Sequence, residues 1–262
     1  MRSAYLPDTD ASQTEMKHLQ RSVAEEAIWT DAHSFDISCL RLRSDARTCT
    51  NSPNGPLIAG IDQAFTDEKV ISAVVVGTDD CIVEKQWAVS ECSIAYIPGL
   101  LSFREAPSIF AALEKLQTQP ELLVCDGSGR IHYRQAGLAT HVGVVMDRPA
   151  IGVAKNLLCG SPVDSVERRP AEWQTPVVSD AYVENATTGT VLGHAYQSRQ
   201  YDTSRRINPV YVSPGHRVAP ETATTCIAHL CDGYKLPEPT RQADAFAATA
   251  KQRYLDGQEP PS

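Results

Sequence analysis

The sequence has no apolar run that approaches the eighteen or so residues needed to span a bilayer. The segment Met1–Asp10 has no apolar core followed by small residues, so it does not resemble a secretory signal. Internal repeats and low-complexity tracts are also missing. We therefore expect a protein without a membrane partner, located in the cytoplasm.

Closely spaced cysteine pairs, which are typical of zinc sites, are missing as well. A chain of 262 residues is too large to need a disulfide scaffold, so we expect reduced thiols. Cys125 lies in an apolar run beside Asp126, where a small core residue is favoured over a nucleophile. The eight cysteines are Cys39, Cys49, Cys81, Cys92, Cys125, Cys159, Cys226 and Cys231.

The formal net charge of −8 argues against nonspecific binding to polyanions, although a nucleic-acid enzyme needs only a local basic face. Three short clusters could supply that face, and solvated surface side chains are an equally good interpretation of each. The clusters are Arg130, His132 and Arg134; Arg199, Arg205 and Arg206; and His216 with Arg217.

Apolar residues make up 42% of the chain, enough for a sizeable core. Residues 1–13 are polar and predict a flexible N-terminus. We expect residues 14–262 to form a single domain, in which residues 44–56, rich in Ser, Thr, Asn, Pro and Gly, form an exposed loop.

Hydrophobic periodicity predicts a meander of strands, then alternating helices and strands, then closing helices. This order is typical of an α/β domain with a mixed sheet. Helices are predicted at residues 14–29, 102–117, within 135–145, 219–231 and 239–254. Extended segments are predicted at residues 35–42, 57–65, 70–77, 81–90, 121–125, 150–154, 191–196 and 209–212.

Two carboxylates, Asp62 and Asp126, follow apolar strands, where an unpaired charge costs several kcal/mol. Each could form a salt bridge instead. If they converge at about 4 Å, their repulsion is roughly 4 kcal/mol at an effective dielectric of 20, and a divalent cation would turn it into binding. Glu105 is a third candidate, but with Ser102 as an N-cap it also fits a capping box.

The run from Tyr96 to Glu105 begins as a stiff loop. Pro98 fixes its own φ and Gly99 permits a turn, so Tyr96 would be presented rigidly for stacking on a planar partner. Asp126-Gly-Ser-Gly, if not an ordinary turn, would let a base or phosphate approach the main chain.

Three further residues have weaker local signals. Lys155 ends a predicted strand and could neutralise charge on a phosphate or orient water, or simply extend into solvent. His216 could hold a water or a phosphate, although a lone loop histidine is usually unremarkable. Asp244 lies on a helix that could face the same site, and its spacing alone would not single it out.

Taken together, these residues resemble the endonuclease V family, nucleases directed at deoxyinosine and inosine with a ribonuclease-H-like fold. The resemblance covers residues 57–248. It rests on the blocks Ala59–Asp62, Tyr96–Glu105, Asp126–Gly129, His141–Gly143, Gly152–Lys155, Pro214–Arg217 and Leu236–Asp244.

The resemblance implies an α/β, ribonuclease-H-like fold with a central mixed sheet flanked by helices. It implies Mg²⁺ as the cofactor, with Mn²⁺ as a substitute, and a tyrosine wedge at Tyr96. The implied catalytic residues are Asp62, Glu105, Asp126, Lys155 and His216, and the implied metal ligands are Asp62, Glu105, Asp126 and Asp244. The implied substrate-binding residues are Tyr96, Ile97, Pro98, Gly99, Leu101 and Gly127.

The expected activity is cleavage of the second phosphodiester bond 3′ to a deaminated purine, leaving 3′-hydroxyl and 5′-phosphate ends, in DNA repair. Because nothing is excised, downstream repair enzymes would have to act next, and we expect a monomer. The alternatives are an inosine-directed ribonuclease, a structure-directed nuclease indifferent to inosine, and a binding module that has lost cutting.

Overall fold

A mixed β-sheet forms the centre of the molecule in a computed structural model that describes residues 1–49, 54–92, 94 and 97–260. Within these residues the sheet has nine strands in the order β1-β3-β2-β4-β5-β9-β8-β7-β6. The strands are β1 (Leu42–Thr48), β2 (Ile58–Phe65), β3 (Lys69–Glu91), β4 (Leu122–Asp126), β5 (Ala150–Ala154), β6 (Ser161–Pro162), β7 (Gln174–Val178), β8 (Val191–Tyr196) and β9 (Val210–His216).

Helices cover both faces of this sheet, as predicted for an α/β fold with a central mixed sheet. One buried cluster joins the sheet to α4 and α5, and a second joins the other face to α2 and α3. The helices are α1 (Gln13–Glu26), α2 (Leu101–Glu114), α3 (Leu138–Met146), α4 (Pro220–Leu230) and α5 (Glu238–Leu255). None of the described helices is both long enough and apolar enough to cross a membrane.

The strands β2, β4 and β5 are parallel neighbours, and their direction defines two ends of the sheet. We call the end at which these three strands finish the carboxyl end, and the end at which they begin the amino end. The carboxyl ends of parallel strands meet on one side of a sheet, where ligands commonly bind.

The two strands predicted at residues 70–77 and 81–90 are confirmed, because β3 folds back on itself as an antiparallel hairpin. The N–H of Cys92 donates to the carbonyl of Glu68 at 2.7 Å, the side chains of Lys69 and Glu91 form an ion pair, and the left-handed Asp79 (φ 50°) lies in the turn between the two halves.

Several predicted elements need correction. The predicted loop 44–56 begins inside β1, which pairs with β3, and residues 50–53 lie outside the described part. The prediction missed β6 and β7.

The N-terminus and the cysteines also differ from expectation. The backbone N–H of Arg2 donates to the carbonyl of Val145 at 2.7 Å, so this end docks on α3 instead of fraying. Cys49 and Cys81 are joined by a disulfide, because the pairing of β1 with β3 brings their Cα atoms within 5.4 Å, a separation that suits the bond.

Candidate active site

Asp62 and Asp126 lie side by side at the carboxyl end of the sheet. Ile61 on β2 pairs with Cys125 on β4, and the next residue on each strand is an aspartate. Because neighbouring strands lie about 4.8 Å apart, Asp62 and Asp126 are adjacent to each other. Both local sequences are apolar runs that form buried strands and then stop at an acid. The predicted convergence of the two carboxylates therefore follows from the strand register.

Glu105 reaches the same region from α2, and its side chain is buried. The predicted capping box is wrong, because α2 begins at Leu101 and its N-cap, Leu100, makes no side-chain cap. Ser102 therefore lies inside the helix. Glu105 is freed from capping and faces the aspartates, whose charges act on it.

The three acids repel one another in a poorly solvated place. Burial, followed by the charge of Asp126, raises the pKa of Asp62 to about 7, although the backbone N–H of Gln63 donates to its Oδ1 at 2.7 Å. Burial and then the charge of Asp62 raise the pKa of Glu105 to about 8. The charge of Arg104 lowers the pKa of Glu105 by less than burial and Asp62 raise it, so the group is short of positive charge.

Lys155, directly after β5, supplies part of that charge. Its Nζ lies 2.7 Å from Oδ2 of Asp126, and its side chain is half exposed. Burial opposes the charged ammonium, but the hydrogen bond and charge of Asp126, with the charges of Asp62 and Asp244, raise the pKa of Lys155. The exposed stem leaves the ammonium able to turn toward an incoming phosphate.

Asp244 enters the site because α5 packs unusually closely on β2. A Cβ at Gly60 would lie 1.8 Å from the carbonyl oxygen of Pro239, so a side chain there would displace the helix. Gly60 and Asp62 are two residues apart and point to the same face of the sheet, the face that α5 covers. From that helix the charge of Asp244 acts on Asp62 and Lys155.

The chemistry of these side chains suits a hard divalent cation, which prefers a few carboxylates together with water and phosphate oxygens. With the side chains as they stand, no three acidic, thiol or imidazole groups in the described part of the chain converge tightly as ligands. The ammonium of Lys155 instead compensates the negative charge of Asp126. The uncompensated burial of Asp62 and Glu105 is the feature that a bound cation would relieve.

His216 does not join this group. It pairs with Ala150, the first residue of β5, and so lies at the amino end of the sheet. Its Nδ1 accepts the backbone N–H of Ile28 at 3.2 Å, which leaves the proton on Nε2, 3.3 Å from Oδ1 of Asp147. The fully buried ring fastens the chain after α1 to the sheet, so its position does not support the predicted catalytic role.

The predicted stiff loop contains a tight turn over residues 97–100. The N–H of Leu100 donates to the carbonyl of Ile97 at 2.9 Å, with Pro98 and then Gly99, at φ 79°, as the central residues. This is the residue order of a type II turn. Ile97 packs on the Leu100 and Phe103 cluster and Pro98 is exposed. The predicted wedge residue, Tyr96, lies outside the described residues.

Three buried donors hold the carbonyl oxygen of Gly99. Gln20 Nε2 and Arg134 Nη2 each lie 2.9 Å away, and His132 Nε2 lies 3.1 Å away. His132 Nδ1 accepts the N–H of Arg134, so Nε2 carries the proton. Burial and the charge of Arg134 lower the pKa of His132 to about 3, so the ring stays neutral.

This network corrects one expectation and adds one residue. Two members of the predicted surface cluster, His132 and Arg134, are buried and anchor the turn. Gln20 was missed, although a signal was available: it is a polar residue on the buried stripe of α1 that also contains Met16 and Val23.

A small cavity of about 70 Å³ lies beneath the turn. Gly99, Leu101 and Ser102 line one side of it, and Gln20 contributes from α1. The buried hydroxyl of Ser102 has no hydrogen-bond partner among the described residues, so it is free to bond a ligand. Leu138 lines another side of the cavity. Its side chain lies 3.2 Å from the point where a Cβ would stand if Gly127 had a side chain.

Cys125, the remaining nucleophile candidate, is inert. It is completely buried in β4, and burial followed by the charges of Asp126 and Asp62 raises the pKa of its thiol far above neutrality. The site therefore combines neighbouring carboxylates, one half-exposed ammonium and a small cavity, and the described cysteine beside it is not activated.

Comparison with known proteins identifies relatives of this arrangement. A sequence profile described as Endonuclease V matches residues 41–245. The chain is 49% identical to an endonuclease V of Haloarcula marismortui, over 96% of this chain and 97% of that protein.

Solved structures share the fold. An endonuclease V of Streptomyces avermitilis is similar with a TM-score of 0.73 and 30% identity, over 94% of this chain and 95% of that one. An endonuclease V of Ciona intestinalis, in complex with a 24-mer DNA containing an inosine followed by a ribo-adenosine, has a TM-score of 0.70 and 21% identity, over 92% and 98% of the two chains.

Proposed function

The chain belongs to the endonuclease V family and is an endonuclease, and from that premise we propose that it cleaves nucleic acid beside a deaminated purine. The proposed substrate contains hypoxanthine, as deoxyinosine or inosine. The cut falls at the second phosphodiester bond 3′ to the lesion and leaves 3′-hydroxyl and 5′-phosphate ends. Mg²⁺ is the proposed cofactor, with Mn²⁺ as a substitute.

The observation that carries this proposal is the group of buried acids at the carboxyl end of the sheet. Asp62, Glu105 and Asp126 have more negative charge than Lys155 compensates, and burial, followed by this mutual repulsion, raises the pKa values of Asp62 and Glu105. Functional sites concentrate such perturbed groups. The inosine-containing DNA bound by the Ciona intestinalis relative supports the choice of lesion.

The acids would hold the metal ion, with Asp244 contributing from α5. A divalent cation bound there supplies a Lewis acid that lowers the pKa of water and stabilises the departing 3′ oxygen. Lys155, released from Asp126, would place its ammonium against the phosphate being attacked. A cation at this site would also favour the ionised form of Glu105, whose pKa burial raises, so that its carboxylate could accept a proton from water.

Base recognition would use the cavity under the turn of residues 97–100. Extrusion of a base costs a few kcal/mol, and least at a weak pair such as one that contains inosine. Stacking by Tyr96 would offset roughly 1–3 kcal/mol of that cost. The three donors on the Gly99 carbonyl keep the turn in place, and the free hydroxyl of Ser102 offers a hydrogen bond.

In the cell this activity would belong to DNA repair in the cytoplasm. The enzyme would act as a monomer, and because it removes nothing, downstream repair enzymes would complete the process. An inosine-directed ribonuclease is the nearest alternative. The DNA in complex with the Ciona intestinalis relative contains a ribo-adenosine after the inosine, so RNA substrates are tested beside DNA.

The test compares four oligonucleotides, paired DNA and paired RNA, each with and without one inosine, in the presence of Mg²⁺. The proposal predicts cleavage of inosine-containing DNA, one bond beyond the lesion's own 3′ phosphate, and little cleavage of the matched control. Equal rates on inosine and undamaged strands would identify a lesion-independent nuclease. Preference for the RNA would make the enzyme an inosine-directed ribonuclease.

A further inference from the structure

Two loops of the chain extend from the carboxyl end of the sheet, beside the candidate active site. Tyr196, the last residue of β8, pairs with Val210 at the start of β9 and with Gln174 at the start of β7. Tyr211 pairs with Ala154, the residue before Lys155. The segments 163–173 and 197–209 therefore leave the sheet at the same end as the acids.

Hydrogen bonds fasten the two loops to each other. The Gln200 amide Nε2 donates to the carbonyls of Arg169 and Ile207, each at 3.0 Å, and its Oε1 accepts the N–H of Ile207 at 3.0 Å. Arg205 Nη1 donates to the carbonyl of Arg168 at 3.4 Å. The loops thus form one continuous surface, which we call the arginine surface: Arg168, Arg169, Arg199, Arg205 and Arg206, with Trp173 and Tyr201.

The arginines of this surface lack ion-pair partners. Within the described residues, no carboxylate lies within 4.0 Å of any of the five guanidinium groups, although Glu167, Glu172 and Asp202 are nearby in the sequence. The protein as a whole has a formal net charge of −8. Unpaired positive charge is therefore concentrated here against the overall balance.

Aromatic rings support two of these cations. The guanidinium of Arg169 lies 4.5 Å from the ring centre of Trp173, and that of Arg199 lies 5.5 Å from the ring centre of Tyr201. The Tyr201 side chain is itself half exposed at the tip of its loop. Basic side chains interleaved with aromatic rings are typical of surfaces that follow a nucleic-acid strand.

Positive charge continues from this surface to the acids. The hydroxyl of Ser198 donates to the carbonyl of Lys235 at 2.5 Å. Burial, and then the charge of Lys155, lowers the pKa of Lys235, so the two ammonium groups are close enough to repel each other. A polyanion could therefore contact the arginine surface, Lys235 and Lys155 in succession.

We propose that the arginine surface binds the sugar–phosphate backbone of the substrate, away from the lesion and without reading its sequence. This rests on the proposed function and adds a second contact region to it. Strands β8 and β7 are three and four strand spacings from β4, roughly 14 and 19 Å. At about 3.4 Å per nucleotide along one strand of a duplex, the bound phosphates lie roughly four to six nucleotides from the cut.

The test replaces two exposed arginines in Arg205→Gln/Arg206→Gln. The matched control, Arg41→Gln/Arg148→Gln, removes the same charge at the amino end of the sheet, where Arg41 precedes β1 and Arg148 precedes β5. Dissociation constants for labelled duplexes, with and without inosine, are measured by fluorescence anisotropy in EDTA across a series of KCl concentrations. Single-turnover cleavage at saturating enzyme is measured separately with Mg²⁺.

We expect the Arg205/Arg206 variant to bind both duplexes about tenfold more weakly, with the slope of log K against log salt smaller by about 2. Its saturated single-turnover rate stays at the wild-type value, and the control variant binds like wild type. When the duplex is shortened on one side of the lesion at a time, the wild-type slope of log K against log salt should become smaller for one side and stay the same for the other.

An unchanged slope and affinity in the variant, an equal loss in the control, or no effect of trimming either flank would overturn the proposal. The two hypotheses fail separately. A wild-type protein that cleaves inosine and undamaged duplexes equally contradicts the proposed lesion specificity, while its salt dependence still tests the arginine surface.

Discussion

The two ends of the sheet contain similar residues in opposite electrostatic states. At the carboxyl end, Asp62 and Glu105 are buried beside Asp126, and Lys155 compensates a part of their charge, so their pKa values rise. At the amino end, Asp147 accepts hydrogen bonds from Arg217, His216 and Arg2. Burial opposes its charge, but these bonds lower the pKa of Asp147.

The difference separates a site that needs a ligand from one that is complete. A group with unfavourable charge is retained where function requires it, at a cost in stability. A fully paired cluster needs nothing more. An acidic residue at the end of a strand, with a basic residue nearby, therefore does not identify a functional site by itself. The balance between their charges must also be known.

The largest effect should come from Asp126→Ala. Cleavage of the inosine strand should fall at least about 10³-fold, the scale of losing a catalytic group. Single-turnover rates with Mg²⁺ measure the loss, and binding of the same strand should persist. A rate near that of wild type would remove Asp126 from the reaction and with it the contrast between the two ends.

His216→Ala tests the other side of the contrast. The variant loses a fully buried ring and the acceptor for the Ile28 N–H, so the free energy of unfolding should fall by roughly 2–4 kcal/mol. Urea denaturation measures the change. His216→Asn, which can keep an acceptor near the Nδ1 position, should recover part of it.

Below its unfolding transition, His216→Ala should cleave within a few-fold of wild type. A folded variant with a lost cleavage rate and unchanged stability would place His216 in the chemistry after all. That result would mean that the two ends of the sheet act together.

Asp62→Asn should increase stability at alkaline pH. Because the folded pKa, about 7, exceeds the usual value of 3.8, the folded state binds more protons than the unfolded state in this window. This contribution to wild-type stability therefore falls as pH rises from about 4 to 8. The variant should be roughly 1–3 kcal/mol more stable at pH 8 and similar at pH 4.

Denaturation curves at several pH values check the slope for Asp62. If the free energy of unfolding rises by the same amount between pH 5 and 8 in wild type and in Asp62→Asn, the raised pKa of Asp62 is contradicted. The amino end has the opposite sign, because the lowered pKa of Asp147 makes its contribution fall on acidification.

The smallest effect should come from Asp147→Asn. Asparagine tolerates the left-handed conformation at φ 51°, and the replaced ion pairs are exposed, so the free energy of unfolding should change by about 1 kcal/mol or less. Thermal denaturation at neutral pH measures it. A loss as large as that of His216→Ala would show that the charge of Asp147 holds the amino end together.

Local sequence predicted the parts of this site that depend on neighbours in the chain. An apolar run that stops at an acid identified Asp62 and Asp126, and Pro98 before Gly99 identified the turn. The close packing of α5 on Gly60, which brings in Asp244, depends on the tertiary fold. Asp244 was therefore predicted only through the resemblance to the family.

The errors have physical causes. The prediction for His216 could not include its contact with the exposed carboxylate of Asp147, because a partner 69 residues away is invisible along the chain. Strand β7 was missed because its five residues include Pro176 and begin with a glutamine.

The central claim is that the acids at the carboxyl end form one divalent-cation site, and thermal unfolding with and without Mg²⁺ tests it directly. At pH 8 we expect Mg²⁺ to raise the melting temperature of wild type, with a smaller rise at pH 6, where protons compete for Asp62 and Glu105. Asp62→Asn/Asp126→Asn should lose the rise, and Asp147→Asn should keep it. A rise that survives in the double variant, or none in wild type, would contradict the account.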